Sequence, residues 1–349
     1  MNVMSGLKGV SDFFGLDIGT SAIRVVQLKG PGPIKNLDHY GHISMEGNLA
    51  LSNSRMDQQR LAMAIKQLVR QAGISSPNVA VGLPSHKVFT TVIDLNRLSP
   101  DEMSKTIRYQ AESFIPTALD DSKIDWAIIG DSPKEPGKVE VLLSSVTNEF
   151  VENRLDLLEG IGLNVVAFEP DSMALSRAIV PADMSAPQMV LDIGSKSTDL
   201  VVAMGGAPRL TRAIPVGSEA IVRSAMQNLA IDQKQAEQFV FKFGLSRDKL
   251  EGQIYNAIIS IIDGLTGEIE KSIKFFQTRY TSAKIERITV TGGASTLPEF
   301  PLHIANKFGL SVEIGNAWRN ISFPASMQNE LLAVSYSFSV AAGLAEREG

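Results

Sequence analysis

Asp17-Ile18-Gly19-Thr20-Ser21 and Asp192-Ile193-Gly194-Ser195-Lys196 are the two stretches that decide the fold. Each closes a short apolar run with Asp-Ile-Gly and hydroxyl residues, and a second apolar run follows soon after. That pattern predicts β-hairpins, with strands over 13–17 and 22–28 in the first copy and over 189–192 and 198–203 in the second. Repetition at the head of each half predicts two lobes built to one plan. Taken singly, a D-x-G corner is an ordinary turn whose Asp bonds its own backbone. Two copies facing one another make a phosphate site in halves. Glycine permits φ > 0 and lets backbone N–H groups approach an anion, neighbouring hydroxyls add donors, and the Asp orients Mg²⁺ or its waters.

A third glycine corner, Thr291-Gly292-Gly293-Ala294-Ser295, ends a predicted strand over 287–291 and leaves bare backbone for adenine or ribose. Neither a G-x-x-x-x-G-K-[ST] loop nor a G-x-G-x-x-G strand-to-helix turn occurs, which disfavours P-loop and dinucleotide folds.

Outward from the first hairpin, a helix is predicted over 57–71, with Leu61, Ala64, Ile65 and Leu68 on one stripe and Gly73 past its end. A buried strand follows over 79–82. From 85 to 146 the pattern changes to strand (88–95), helix, strand (125–129) and strand (138–146), which reads as an inserted module. Ser99-Pro100-Asp101-Glu102 caps its helix, and Pro116 stops it. A helix over 148–160 and a strand over 163–168 return to the first lobe, and 181–187 is the predicted inter-lobe linker. The second lobe adds a strand over 208–214, helices over 218–243, 250–281 and 297–308, and a closing helix over 330–345.

The 349 residues carry a formal charge of -5, with 44% hydrophobic and 20% charged residues. This is the balance of a globular protein of two lobes at ~100–200 residues each. Lys and Arg are scattered, so no face is built for nucleic acid. No cysteine is present, which removes disulfides and thiolate chemistry and suits a reducing compartment. His39 and His42 follow a Gly/Pro-rich stretch without a carboxylate in a metal-binding pattern, so they read as solvated loop residues. Residues 1–11 lack the pattern of a signal peptide, and no run of ~20 apolar residues occurs to span a bilayer.

The two Asp-x-Gly hairpins with Thr291-Gly292-Gly293-Ala294 resemble the phosphate-1, phosphate-2 and adenosine motifs of the actin, Hsp70 and sugar-kinase superfamily. Within it, the order of Ala111-Glu112-Ser113-Phe114-Ile115-Pro116, Phe168-Glu169-Pro170, Ile214-Pro215-Val216-Gly217, Ala236-Glu237 and Glu270-Lys271-Ser272-Ile273-Lys274-Phe275-Phe276 is similar to the PilM family of type IV pilus assembly proteins, relatives of FtsA. The resemblance implies an α/β, actin-like two-lobe fold with an FtsA/PilM-type strand-helix-strand-strand subdomain. The implied divisions are 1–84 (IA), 85–165 (1C and return), 166–186 (helix and linker), 187–217 (IIA), 218–280 (IIB), 281–328 (IIA) and 329–349 (helix returning to the first lobe). It implies ATP and Mg²⁺ held by Asp17, Gly19, Thr20, Ser21 and Arg24 on one side and Asp192, Gly194, Ser195, Gly217, Glu237, Gly292, Gly293 and Ala294 on the other. Asp17 and Asp192 would meet the metal through water, and Glu237 the ribose. The family's basic partner to that glutamate is Val240 here, with Lys242 two residues on.

The resemblance further implies a cytoplasmic scaffold, peripheral to the inner membrane through a partner, whose inserted module and first lobe grip the cytoplasmic N-terminal segment of PilN. Homo-oligomerisation is compatible with it. Two alternatives stand beside it. A small-molecule kinase of the superfamily requires a substrate base, and no carboxylate here stands in a recognisable context for one, so catalytic residues stay unassigned and at most slow ATP hydrolysis is expected. An FtsA-like filament protein carries an amphipathic membrane tail, whereas this sequence closes with Leu344-Ala345-Glu346-Arg347-Glu348-Gly349.

Overall fold

The computed structural model describes residues 12–45, 49–181 and 183–347; the readings of 1–11 and of the last two residues lie outside them. In the first lobe, β1 (Phe14–Ile18), β2 (Ala22–Lys29) and β3 (Lys35–Ser44) form a meander, followed by α1 (Arg55–Gln71) and β4 (Asn78–Leu83). The inserted module comprises β5 (Val88–Asn96), α2 (Pro100–Ala111), β6 (Ser122–Asp131) and β7 (Lys138–Thr147). Then come α3 (Asn148–Glu159), β8 (Asn164–Pro170) and α4 (Asp171–Ile179). The second lobe holds β9 (Gln188–Ile193), β10 (Thr198–Met204), β11 (Ala207–Ile214), α5 (Ser218–Leu229), α6 (Gln233–Phe243), α7 (Gln253–Arg279), β12 (Arg287–Thr291), α8 (Phe300–Phe308) and β13 (Ser311–Ile314). The chain ends through β14 (Ile321–Ser322), α9 (Gln328–Val334) and α10 (Ser339–Ala345).

The first sheet runs β14-β3-β2-β1-β4-β8 and the second β11-β10-β9-β12-β13. Leaving out β14, the two orders correspond strand for strand. In each, a hairpin strand (β1 or β9) lies antiparallel to its mate and parallel to a later strand (β4 or β12). Such parallel pairs need a covered crossover, which α1 supplies in the first lobe and α5 to α7 in the second. Through β14, which pairs with β3, the chain rejoins the first sheet.

Between the sheets lie α4 and α10. Helix α4 touches β8, β9, β10 and β11, and α10 packs on α4, β1, β2 and β4. The core they share draws Val26 and Leu28 from the first sheet, Val190 and Val201 from the second, and Leu175, Trp318 and Phe338 from the connecting elements. Trp318 is fully buried, donates its indole N–H to the Leu331 carbonyl at 2.8 Å, and sits against Tyr40 and Phe338.

The module is a sheet in the order β5-β7-β6 with α2 on one face, closed by Ile93, Met103, Ile107, Val141 and Leu143. The Ser99 backbone N–H donates to Glu102 at 3.1 Å, so the predicted capping residues do start α2. The opposite face meets the second lobe. There Glu140, 1% exposed, accepts from Arg279 Nε at 2.9 Å and from the Tyr280 hydroxyl at 2.7 Å, and lies 3.3 Å from Arg209.

Several expected elements differ. The helix expected over 218–243 breaks into α5 and α6 at Ala230, whose φ of 51° is left-handed. That over 330–345 is interrupted between α9 and α10, and α7 starts only after the left-handed Leu250, Glu251 and Gly252. His39 and His42 are strand residues of β3, not loop residues. His42 lies edge-on to Phe338, and His39 lies beside Asp38.

Candidate nucleotide site

Both hairpin corners open into one cleft of about 350 Å³ between the lobes. Asp17, Gly19, Thr20, Ser21 and Arg24 line it from the first lobe, and Asp192, Gly194, Ser195, Gly292 and Gly293 from the second. The three other residues expected there are not among those that line it. Gly217 packs behind the second corner, where a Cβ would stand 2.4 Å from the Ser195 carbonyl oxygen. Behind it the Ser218 and Glu219 N–H groups donate to Gly194 and Ser195, fixing the corner to the start of α5. Glu237 is exposed on α6, and Ala294 is buried in the second-lobe core.

The glycines serve closeness more than handedness. Gly19 and Gly194 do not have positive φ, but a Cβ would lie 2.9 Å from the Ala22 carbonyl oxygen in the first and 3.1 Å from that of Ser197 in the second. Gly292 requires both properties: its φ is +82°, and a Cβ would meet the Asp192 carboxylate at 2.4 Å. Its N–H donates to the Tyr336 carbonyl at 2.7 Å, tying the third corner to the segment before α10.

Across the first hairpin, Asp17 stands opposite Arg24, and the two pair at 3.4 Å. Across the second, Asp192 stands opposite Asp199. One corner therefore neutralises its own carboxylate, while the other stacks two acids, an arrangement that costs stability unless a cation arrives. Asp171, the first residue of α4, adds a fourth carboxylate. Loss of hydration raises all four, and neighbours modify the effect. Asp192 is pushed up to about 7, with Asp199 and Asp17 adding to the burial, and Asp199 to about 6. Asp171 is held well above the usual carboxylate range by burial and then by Asp17, Asp199 and Asp192, and Asp17 rises less because Arg24 opposes the shift. Among the described residues, the buried Oδ1 atoms of Asp171 and Asp199 have no hydrogen-bond partner.

Asp171 and Asp199 escaped the sequence reading, though each left a signal. Asp199 is found by counting the hairpin register back from the second corner. Asp171 directly follows Glu169-Pro170 at the carboxyl end of a parallel strand, where open α/β sheets place ligands. Lys196 also lines the cleft and is tied to Glu219 at 2.5 Å, an acid that accepts from the Ser195 hydroxyl at 2.8 Å.

The profile of the family described as "Type IV pilus assembly protein PilM" matches residues 15–348. Among solved structures, the chain is similar to the "PilM-PilN type IV pilus biogenesis complex", with a TM-score of 0.81 and 25% identity, over 95% of this chain and 97% of that one. The ethanolamine utilization protein EutJ of Carboxydothermus hydrogenoformans shares the fold at 15% identity, with a TM-score of 0.59 over 97% of this chain and 90% of that one. MreB5 of Spiroplasma citri, solved bound to ADP, does so at 13% identity and a TM-score of 0.56, over 95% and 94%. The fold is thus actin-like, and from the profile match over almost all of its length the chain belongs to the PilM family of type IV pilus assembly proteins.

Proposed function

We propose that this chain is an ATP-binding scaffold of the type IV pilus inner-membrane platform that grips the cytoplasmic N-terminal segment of a PilN-type partner. The observation that carries the reading is the convergence of two glycine corners, one from each lobe, on a single cleft within a PilM-family chain. The corner N–H groups and the Thr20, Ser21 and Ser195 hydroxyls would hold the phosphates, and Gly292 and Gly293 would leave room for the nucleoside. The donor set fits Mg²⁺, which keeps several waters and takes one or two carboxylates besides phosphate. Carboxylate oxygens without partners point the same way. Among the described residues, no three acids or histidines stand close enough to hold an ion by themselves, which favours water between Asp17, Asp192 and the metal. Bound Mg²⁺ would supply charge neutralisation, while Asp171 and Asp199 would steady its waters.

The partner's segment would lie between the module and the first lobe. β6 is an edge strand of the module's sheet and β8 of the first sheet, and an edge offers main-chain hydrogen bonds to an extended peptide. Among the described residues no helix is long and apolar enough to cross a membrane, and the proposal places membrane attachment in the partner.

Calorimetry tests both halves. Mg-ATP should bind one site per chain, and Asp17→Ala or Asp192→Ala should abolish the heat and the accompanying thermal stabilisation, about 2.7 kcal/mol at a hundredfold excess over Kd. A synthetic peptide of the PilN N-terminal segment should bind the unmodified chain. Absence of nucleotide binding together with absence of peptide binding would refute the reading.

A further inference from the structure

Among the described residues, four long-chain cations line the cleft: Arg24, Lys87, Arg154 and Lys196. Arg24 is paired with Asp17 and Lys196 with Glu219. Among the described residues Lys87 and Arg154 have no ion-pair partner; both instead lie over one ring, that of Phe150, at 5.8 and 5.4 Å from its centroid. Arg154 is only 7% exposed, and its Nη1 has no hydrogen-bond partner among the described residues. A buried guanidinium left in this state is costly unless an anion completes it.

The position of the pair says which anion. Arg154 is close enough to Asp171 to feel its charge, and Asp171 in turn feels Asp17, Asp192 and Asp199. The two cations therefore belong to the carboxylate end of the cleft, which is where a bound Mg²⁺ would neutralise the outer phosphates of a triphosphate. The chain path supplies the second half of the argument. Lys87 lies in the turn between β4 and β5, where the module leaves the first lobe, and Phe150 and Arg154 lie on α3, directly after β7, where it returns. Each end of the module thus places one cation in the cleft around a shared aromatic ring.

We propose that Lys87 and Arg154, held over Phe150 at the root of the inserted module, contact the terminal phosphate of a bound triphosphate and so tie the module to the state of the nucleotide. The proposal rests on the nucleotide reading above. A guanidinium matches two phosphate oxygens at once, and the lysine adds a point charge. A diphosphate lacks the group they reach, so the two nucleotides make different contacts with the module's root, which is the condition for shifting its position.

The test compares Mg-ATP with Mg-ADP by calorimetry on the unmodified chain, Arg154→Gln and Lys87→Gln. The unmodified chain should prefer ATP by about tenfold, equivalent to about 1.4 kcal/mol. Each variant should lose most of that preference with its ADP affinity nearly unchanged. Hydrogen exchange in β5 and β7 should differ between the two nucleotides in the unmodified chain and cease to differ in the variants. Lys87 is exposed, so Lys87→Gln keeps the test decisive if loss of the buried arginine unfolds the protein. Equal affinity of the unmodified chain for ATP and ADP, or an unaltered preference in Lys87→Gln, overturns this proposal alone, whereas failure to bind either nucleotide removes the reading beneath it.

Discussion

Asp192 and Asp199 stand opposite one another in the second hairpin, where the first has Asp17 opposite Arg24. Their folded pKa values, about 7 and about 6, exceed the ordinary 3.8. A carboxyl raised in this way keeps its proton in the folded chain after the unfolded chain has released it. Its contribution to stability therefore falls as pH rises from about 4 to about 7 and is level above that. Without ligand, these two groups should make the chain less stable at pH 8 than at pH 5.5. Asp199→Asn should recover on the order of 1 kcal/mol at pH 8. Mg-ATP should raise the melting temperature more at pH 8 than at pH 5.5, because the metal favours the ionised acids. Melting curves across pH, with and without Mg-ATP, read all three; stabilisation by Mg-ATP that is larger at the lower pH would contradict the assignment.

The elements that join the lobes carry much of the packing, and Trp318 stands at their centre. Trp318→Ala removes the largest fully buried side chain and its hydrogen bond to Leu331, and should cost about 3–5 kcal/mol in urea unfolding. At the end of α5, Ala230 occupies a left-handed position that a Cβ disfavours, so Ala230→Gly should be neutral or stabilise by about 0.5–1 kcal/mol in the same assay. These positions also mark where the sequence stopped being legible. The hairpins, the module's strands and α2 follow from apolar alternation and capping residues, and each was read. Strand β3, Lys-Asn-Leu-Asp-His-Tyr-Gly-His-Ile-Ser, has no clean alternation because most of its residues are only half-buried. The break at Ala230 lacks the glycine that usually announces one. The two-residue β14 is shorter than any periodicity can report, and its partner Lys35 is remote in sequence.

At the scale of the molecule, one strand order repeated in two lobes brings the two corners together, and that convergence was readable because the motif is written twice. What crosses between bodies was not. Glu140 reads as one residue of an alternating strand, yet Arg209, Arg279 and Tyr280 surround it from the second lobe. Glu140→Ala would leave the buried Arg209 without its counter-charge and Arg279 with Asp94 alone, and should cost about 3–5 kcal/mol, with hydrogen exchange rising first in β7 and in β11 opposite it. Likewise, Gly217, Glu237 and Ala294 matched motifs in order but are not among the residues that line the cleft, because order along the chain does not say which side of an element faces it. The most direct measurement of the central claim is a crystal structure of the chain with Mg²⁺ and a non-hydrolysable ATP analogue. The account predicts the polyphosphate within about 3 Å of backbone N–H groups at both Gly19–Ser21 and Gly194–Ser195. Phosphates that touch only one hairpin, or that lie outside the cleft, would contradict it.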